Sequence, residues 1–296
     1  ADFGFGPITY SQAGTYVYEV TEVPGDNAGI SYDGHTATVT VSVVDNLHGG
    51  FTATASVENG TFTNAYKSEL DYQAAGGLKI AKTFENADMR EFGFTVKPAD
   101  QASADKLGID PAGEPLTTTP GATVGDDNAS HATVSIGAGT DVTFTQADAG
   151  KTYTYTVQEN AGSDAGVNYD GTVYTVTITT VDDGLGGIKV TTTVTNGADY
   201  KQTYVYDNDA ETENQTAVVP FTNTYKAEGQ LGGNGAVSIN ATKTLTNRPM
   251  TDSEFKFNVT NAADPAGTVV AHGTNAADGT VTFGAIGYSA GQMLTD

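Results

Sequence analysis

One strand motif occurs twice in this 296-residue chain. Tyr16-Val17-Tyr18-Glu19-Val20-Thr21-Glu22 returns as Tyr153-Thr154-Tyr155-Thr156-Val157-Gln158-Glu159, the two glutamates lying 137 residues apart. Downstream of each, Phe62-Thr63-Asn64-Ala65-Tyr66-Lys67 returns as Phe221-Thr222-Asn223-Thr224-Tyr225-Lys226. A fixed-spacing repeat of this kind implies a tandem array of one domain type. A third repeated element, Leu78-Lys79-Ile80-Ala81-Lys82-Thr83-Phe84 followed by Phe92-Gly93-Phe94, matches residues 239–245 followed by Phe255-Lys256-Phe257. That match pairs Lys82 with Lys243.

Between these elements the chain alternates with period two, as in Thr36-Ala37-Thr38-Val39-Thr40-Val41, residues 172–180 and residues 189–194. Such Thr-, Val- and Tyr-rich runs, closed by Asp33-Gly34, Asp170-Gly171, Gly49-Gly50 and Gly186-Gly187, are strands joined by turns. No long segment carries a helical apolar period. The expected class is all-β, a series of tandem Ig-like β-sandwich domains. Only residues 68–226 hold all three repeated elements. Residues 1–67 hold the Glu and Asn strands of a repeat and lack its Lys strand; residues 227–296 hold the Lys strand and end where the Glu strand is expected. One complete domain is thus flanked by two complementary partial ones. A partial sandwich leaves unpaired edges and half a core, so the two are expected to complete each other, either between neighbouring repeats or copies of the chain placed head to tail or within one chain.

With 36 Asp+Glu against 13 Lys+Arg, the chain repels phosphate backbones and anionic lipid surfaces, which argues against nucleic-acid and membrane partners. The absence of cysteine excludes disulfides, zinc–thiolate sites, cysteine nucleophiles and thioester chemistry. No apolar run reaches membrane-spanning length, and neither a signal peptide nor a sorting signal is visible. The chain therefore reads as a segment of a longer protein.

Side chains alternate across a strand, so Ile80, Lys82 and Phe84 share one face, as do Tyr153, Tyr155, Val157 and Glu159, and Phe221, Asn223 and Tyr225. Each face is apolar but for one residue. A lone lysine in such a place ordinarily reaches out to water, but here the Glu, the Asn and the Lys each recur at the matching position. Lys79, the nearest competitor to Lys82, aligns with Asn240, which cannot supply an amine. Gln158 could support a Thr–Gln ester, but Thr21 stands at its place in the first copy. Isolated burial of Lys or Glu costs several kcal/mol, whereas three polar groups meeting in one core remove most of that penalty. Desolvation favours an uncharged amine and an uncharged carboxylic acid. The amine of Lys82 is then a nucleophile and the carboxamide of Asn223 an electrophile, with Glu159 expected to donate to the amide oxygen and to shuttle the proton. The product is a Lys82–Asn223 isopeptide bond, and contact between fixed groups supplies its rate.

Together the three elements resemble the isopeptide-forming Ig-like (Cna-B/major-pilin-type) repeat domains of Gram-positive pilins and fibrous surface adhesins. The resemblance spans essentially the whole chain. It implies Lys82 and Asn223 as bond partners, Glu159 as the catalytic acid, and Glu22, Asn64 and Lys243 in the same three roles where the partial domains meet. It also implies a structural stalk or shaft segment of an extracellular bacterial surface fibre, with self-crosslinking as its only chemistry and with no cofactor or metal. The alternative is an adhesin module binding a host glycan or protein through the inserted segments 97–131 and 197–218. The acidic loop at 207–211 lacks an EF-hand spacing and reads as solvated rather than calcium-binding.

Overall fold

The computed structural model describes residues 4, 6–137, 141–197, 199–207, 215–231 and 239–289. Strand formation follows the alternation already noted. In the N-terminal unit, β1 (Gly14–Thr21), β3 (Thr36–Asp45) and β4 (Phe51–Glu58) form an antiparallel sheet in the order β1-β3-β4, and β2 (Ile30–Ser31) pairs with β5 (Ala65–Tyr66).

The central unit holds β6 (Glu69–Asp71), β7 (Leu78–Glu85), β8 (Gly93–Pro98), α1 (Gln101–Leu107), β9 (Leu116–Thr117), β10 (Ala129–Ile136), β11 (Thr143–Thr145) and β12 (Thr152–Glu159). It continues through β13 (Val167–Asn168), β14 (Val173–Asp182), β15 (Ile188–Thr195), β16 (Lys201–Tyr206) and β17 (Ala217–Tyr225). One sheet runs β10-β7-β17-β13 and the other β16-β15-β14-β12-β8-β9. Their inner faces interdigitate in a sandwich: Phe221 packs 5.3 Å from Phe94 and 5.2 Å from Tyr174 between ring centroids. Ile80, Phe84, Phe94, Tyr155, Val157, Val176 and Val190 are fully buried there. The first and last long strands, β7 and β17, are parallel neighbours, with Phe221 opposite Lys82 and Asn223 opposite Phe84. The C-terminal unit contains β18 (Glu228–Leu231), β19 (Ala241–Thr242), β20 (Lys256–Thr260), β21 (Val269–Asn275), β22 (Thr280–Phe283) and β23 (Ile286–Ser289). β19-β22-β21-β20 form its main sheet and β18 pairs with β23.

Two segments expected as long insertions contain regular structure. Residues 101–107 form α1, started by Asp100, whose side chain accepts from the Ser103 amide at 2.8 Å, and stopped by Gly108 at φ 63°. Seven residues are too few to display a helical period in sequence. In the second segment β16 extends the larger sheet at its edge, paired along β15.

The N-terminal unit meets the central one through the β14–β15 hairpin. The Tyr66 hydroxyl donates to Asp182 at 2.5 Å, the Ser68 hydroxyl to the same carboxylate at 3.0 Å, and the Asn27 amide to the Gly184 carbonyl at 2.8 Å. A Cβ on Gly29 would lie 2.7 Å from the Gly186 backbone, so this junction requires a residue without a side chain there.

Candidate functional site

Lys82, Glu159 and Asn223 converge in the core of the central unit. The alternation of β7 buries Leu78, Ile80, Lys82 and Phe84 together, and β12 and β17 do the same for Glu159 and Asn223. Neither the Lys82 nor the Glu159 side chain has any solvent-exposed surface, and Asn223 is fully buried. The Lys82 Nζ donates to Glu159 Oε2 at 2.9 Å, and the Asn223 Nδ2 donates to Glu159 Oε1 at 2.6 Å. One carboxylate therefore holds the amine on one oxygen and the carboxamide on the other. The ammonium also sits 4.8 Å from the centre of the Phe92 ring. Burial pushes the Lys82 amine below the usual lysine range, opposed by the hydrogen bond and charge of Glu159.

The amide orientation differs from the sequence expectation. Glu159 does not donate to the amide oxygen; the backbone N–H of Asp170 does, at 2.8 Å from Asn223 Oδ1. A backbone N–H can only donate, so the atom it faces is the oxygen, and the nitrogen is left to the carboxylate. Asp170 is held in turn by its own carboxylate, which accepts from the amides of Thr172 at 2.9 Å and Thr222 at 2.8 Å. In the sequence alone Asp170-Gly171 reads only as a turn. Its recurrence as Asp33-Gly34, at the same spacing as the two glutamates, was the available signal.

The N-terminal unit repeats most of this arrangement. Asn64 Nδ2 donates to Glu22 Oε1 at 2.7 Å, the Asp33 N–H donates to Asn64 Oδ1 at 2.9 Å, and the Thr63 N–H donates to the Asp33 carboxylate at 2.7 Å. Glu22 Oε2, the counterpart of the oxygen that holds Lys82, is buried and has no hydrogen-bond partner. Lys243 lies 4.7 Å from the Phe255 ring centre, as Lys82 does from Phe92, and within the chain no hydrogen bond or ion pair among the described residues joins it to Glu22 or Asn64.

A second half-buried cation went unnoticed in the sequence. Lys106 pairs with Asp148 at 2.9 Å beneath the rings of Phe144 and Tyr153, and the Tyr153 hydroxyl donates to the same carboxylate at 2.5 Å. Among the described residues no carboxamide hydrogen-bonds to this pair, which ties α1 to the sandwich. Among the described residues no cluster of three or more His, Asp or Glu could hold a metal ion. Most of the acidic loop at 207–211 falls outside the described residues. A cleft lined by Thr95, Ile109, Pro111, Glu114 and Leu116 measures about 180 Å³, below the roughly 300–1,000 Å³ of small-molecule sites. No helix among the described residues is long and apolar enough to cross a membrane.

A sandwich whose first and last strands carry a buried lysine and asparagine on a shared glutamate belongs to the class of isopeptide-type β domains. The family described as FctA, the Spy0128-like isopeptide-containing domain, matches residues 2–67 and 78–226, and the chain belongs to that family. Among solved structures it is similar to the major pilin of Streptococcus pyogenes, at 16% identity, covering 72% of this chain and 74% of that one with a TM-score of 0.30. It is also similar to the T-13 major pilin of Streptococcus pyogenes, at 17% identity over 72% of this chain and 73% of that one, with a TM-score of 0.28. No curated protein matches the sequence significantly.

Proposed function

We propose that the chain is a structural segment of the shaft of a bacterial surface fibre or pilus, stapled by an amide bond that Lys82 and Asn223 form without an external enzyme. Glu159 takes a proton from the Lys82 ammonium, and the neutral amine attacks the Asn223 carboxamide carbon. The Asp170 N–H stabilises the charge that develops on the amide oxygen. Glu159 returns that proton to the old amide nitrogen as its bond to carbon breaks, and the departing ammonia takes up the proton released by the attacking lysine nitrogen, so ammonium leaves. Enclosure in the core replaces substrate binding, since the groups are already in contact. The observation that carries this reading is the single buried carboxylate engaged on one oxygen by the amine and on the other by the amide. A pilus-type location is supported by membership of the isopeptide-containing family.

We favour the shaft over an adhesin module because the cleft beside the inserted segment is too small for a typical ligand site. Intact mass spectrometry tests the proposal. The folded chain is expected to weigh one ammonia less than its sequence for this bond, and Glu159→Ala is expected to restore the full mass. A parent protein of unaltered mass refutes the staple.

A further inference from the structure

Thr118 lies in the inserted segment 97–131 and is only 2% exposed, so its hydroxyl must find partners inside the fold. That hydroxyl accepts from the Phe92 N–H at 2.8 Å and donates to the Arg90 carbonyl at 2.7 Å, and the Thr118 N–H donates to the Phe92 carbonyl at 3.0 Å. One residue thereby engages both backbone groups of Phe92. Phe92 stands one position before β8, and the β8–β12 ladder, which sets Phe94 opposite Glu159, does not reach it. The ring held in this way lies 4.8 Å from Lys82 Nζ and packs edge-on against Phe84 at 5.0 Å and Tyr169 at 6.1 Å between centroids. The C-terminal unit builds the same clasp from a different residue. Phe255 lies 4.7 Å from the Lys243 amine, its N–H donates to Asn275 Oδ1 at 2.7 Å, and its carbonyl accepts from the Asn275 N–H at 3.4 Å. Asn275 is also 2% exposed, and its Nδ2 donates to the upstream Thr251 carbonyl at 2.9 Å. Thr118 follows β9, which pairs with β8, and Asn275 closes β21, which pairs with β20, so each stands across an antiparallel pair from its aromatic residue. Threonine and asparagine differ in shape and share a side-chain oxygen that can accept beside a donor. In both units that chemistry is applied to the residue lying over a lysine.

We infer that Thr118 is a positioning residue for the Lys82–Asn223 bond: by clasping the backbone of Phe92 it fixes the ring against the amine, keeps water from the nitrogen and holds it where it attacks. The inference rests on the reaction proposed for Lys82 and Asn223. The ring acts on the amine in two opposed ways. Its face attracts an ammonium, which favours the charged form. Its bulk takes the place of water that would hydrate that ammonium, which favours the neutral nucleophile. For an ion this deeply buried, loss of hydration is the larger effect. Glu159 from β12 and Asp170 from the turn before β14 are the charged groups that face the amine, and both draw it toward the ammonium. Exclusion of water is the counterweight to them, and burial does push the Lys82 amine down. A ring free to swing admits water beside the nitrogen and leaves the ion pair with Glu159 as the stable state. The clasp thus gives the inserted segment a task inside the domain, at the crosslink, rather than on its surface.

The test is the rate of ammonia loss as the 296-residue chain refolds, followed by intact mass, with near-ultraviolet circular dichroism reporting the folded fraction. Thr118→Val keeps the shape and removes the hydroxyl, and is expected to slow ammonia loss roughly ten- to a hundredfold among folded chains. Thr118→Ser keeps the hydroxyl and is expected to retain the parent rate. Phe92→Leu keeps the clasp and removes the ring, and is expected to slow the reaction to a similar extent. The double variant is expected to be no slower than Phe92→Leu alone, because the hydroxyl acts through the ring. A parent rate in Thr118→Val or in Phe92→Leu overturns the inference and leaves the staple standing. Equal slowing in Thr118→Val and Thr118→Ser overturns it too, as does additive slowing in the double variant. Where Thr118→Val does not refold, Phe92→Leu decides by the same criterion. A parent chain that loses no ammonia removes the staple and this inference together.

Discussion

Replacing Glu159 by Gln tests the staple at a calculable magnitude. Glutamine keeps the side-chain length, offers Asn223 a carbonyl acceptor, and leaves a hydrogen-bond partner for an amine that burial already shifts toward neutrality. What it removes is the proton relay. A crosslink between Lys82 and Asn223 closes a loop of about 140 residues, and the chain-entropy relation for such a loop gives about 5 kcal/mol at 25 °C. For a domain of this size, that corresponds to a fall in thermal midpoint of roughly 10–20 °C. Scanning calorimetry on the variant, with its mass confirmed at the full sequence value, reads the effect directly. A variant of full mass that melts within about 3 °C of the parent refutes the idea that closing this loop stabilises the fold. Retention of the ammonia loss in Glu159→Gln refutes the role of Glu159.

Asp170→Ala frees the turn that presents its own N–H to Asn223 Oδ1 and is expected to slow bond formation about tenfold or more, read as the fraction of full-mass chain during refolding. An unchanged rate would leave Asp170 a turn residue only. For Asp148, burial pushes the carboxyl up, but hydrogen bonds from Lys106, Tyr153 and the Thr145 amide outweigh it and hold the group below its ordinary range. A depressed folded value means stability that is present above the unfolded pKa of about 4 and lost as pH falls below it. The thermal midpoint should therefore drop on acidification below about pH 4, and Asp148→Asn should flatten that part of the profile. At the internal junction, Tyr66→Phe removes the hydroxyl that donates to Asp182 and should broaden the relative orientation of the first two units, measured by residual dipolar couplings. Identical couplings in the variant would assign the junction's stiffness to the Gly29–Gly186 approach and the remaining Ser68 and Asn27 hydrogen bonds.

The convergence of Lys82, Glu159 and Asn223 was legible because period-two alternation makes a polar residue on an apolar face conspicuous, and the repeat showed it was not an accident of one strand. Asp170 was not legible as part of the site, since it acts through a backbone N–H that nearly every residue possesses. The same fact reversed the expected orientation of the amide: composition can announce a glutamate, but only the fold shows that another donor has taken the amide oxygen. Lys106 and Asp148 escaped for a different reason. They lie on separate elements, with no second copy to align against, and their neighbours Phe144 and Tyr153 are brought over them only by tertiary packing. The sandwich class was legible, yet the parallel placement of β17 beside β7 depends on which edge the last strand takes, and no local pattern encodes that.

That parallel placement determines what a Lys82–Asn223 bond does under tension. Force entering at the start of β7 and leaving at the end of β17 pulls two neighbouring parallel strands in opposite directions, loading all of their shared hydrogen bonds in shear. With the bond formed, the load passes from residue 78 along four residues to Lys82, crosses to Asn223, and leaves by Tyr225 after two more. The intervening 83–222 segment, which contains most of the sandwich, is bypassed. The β6–β11 pairing lies outside this path, because the chain reaches β7 only after Glu69–Asp71 has paired with Thr143–Thr145. Stretching a single chain should thus peel β6 first, releasing a short, fixed extension, and then meet a covalent stop. The Glu159→Gln chain should instead yield the full contour length of the domain, and a parent chain that does the same would show that the bond does not lie in the path of the force.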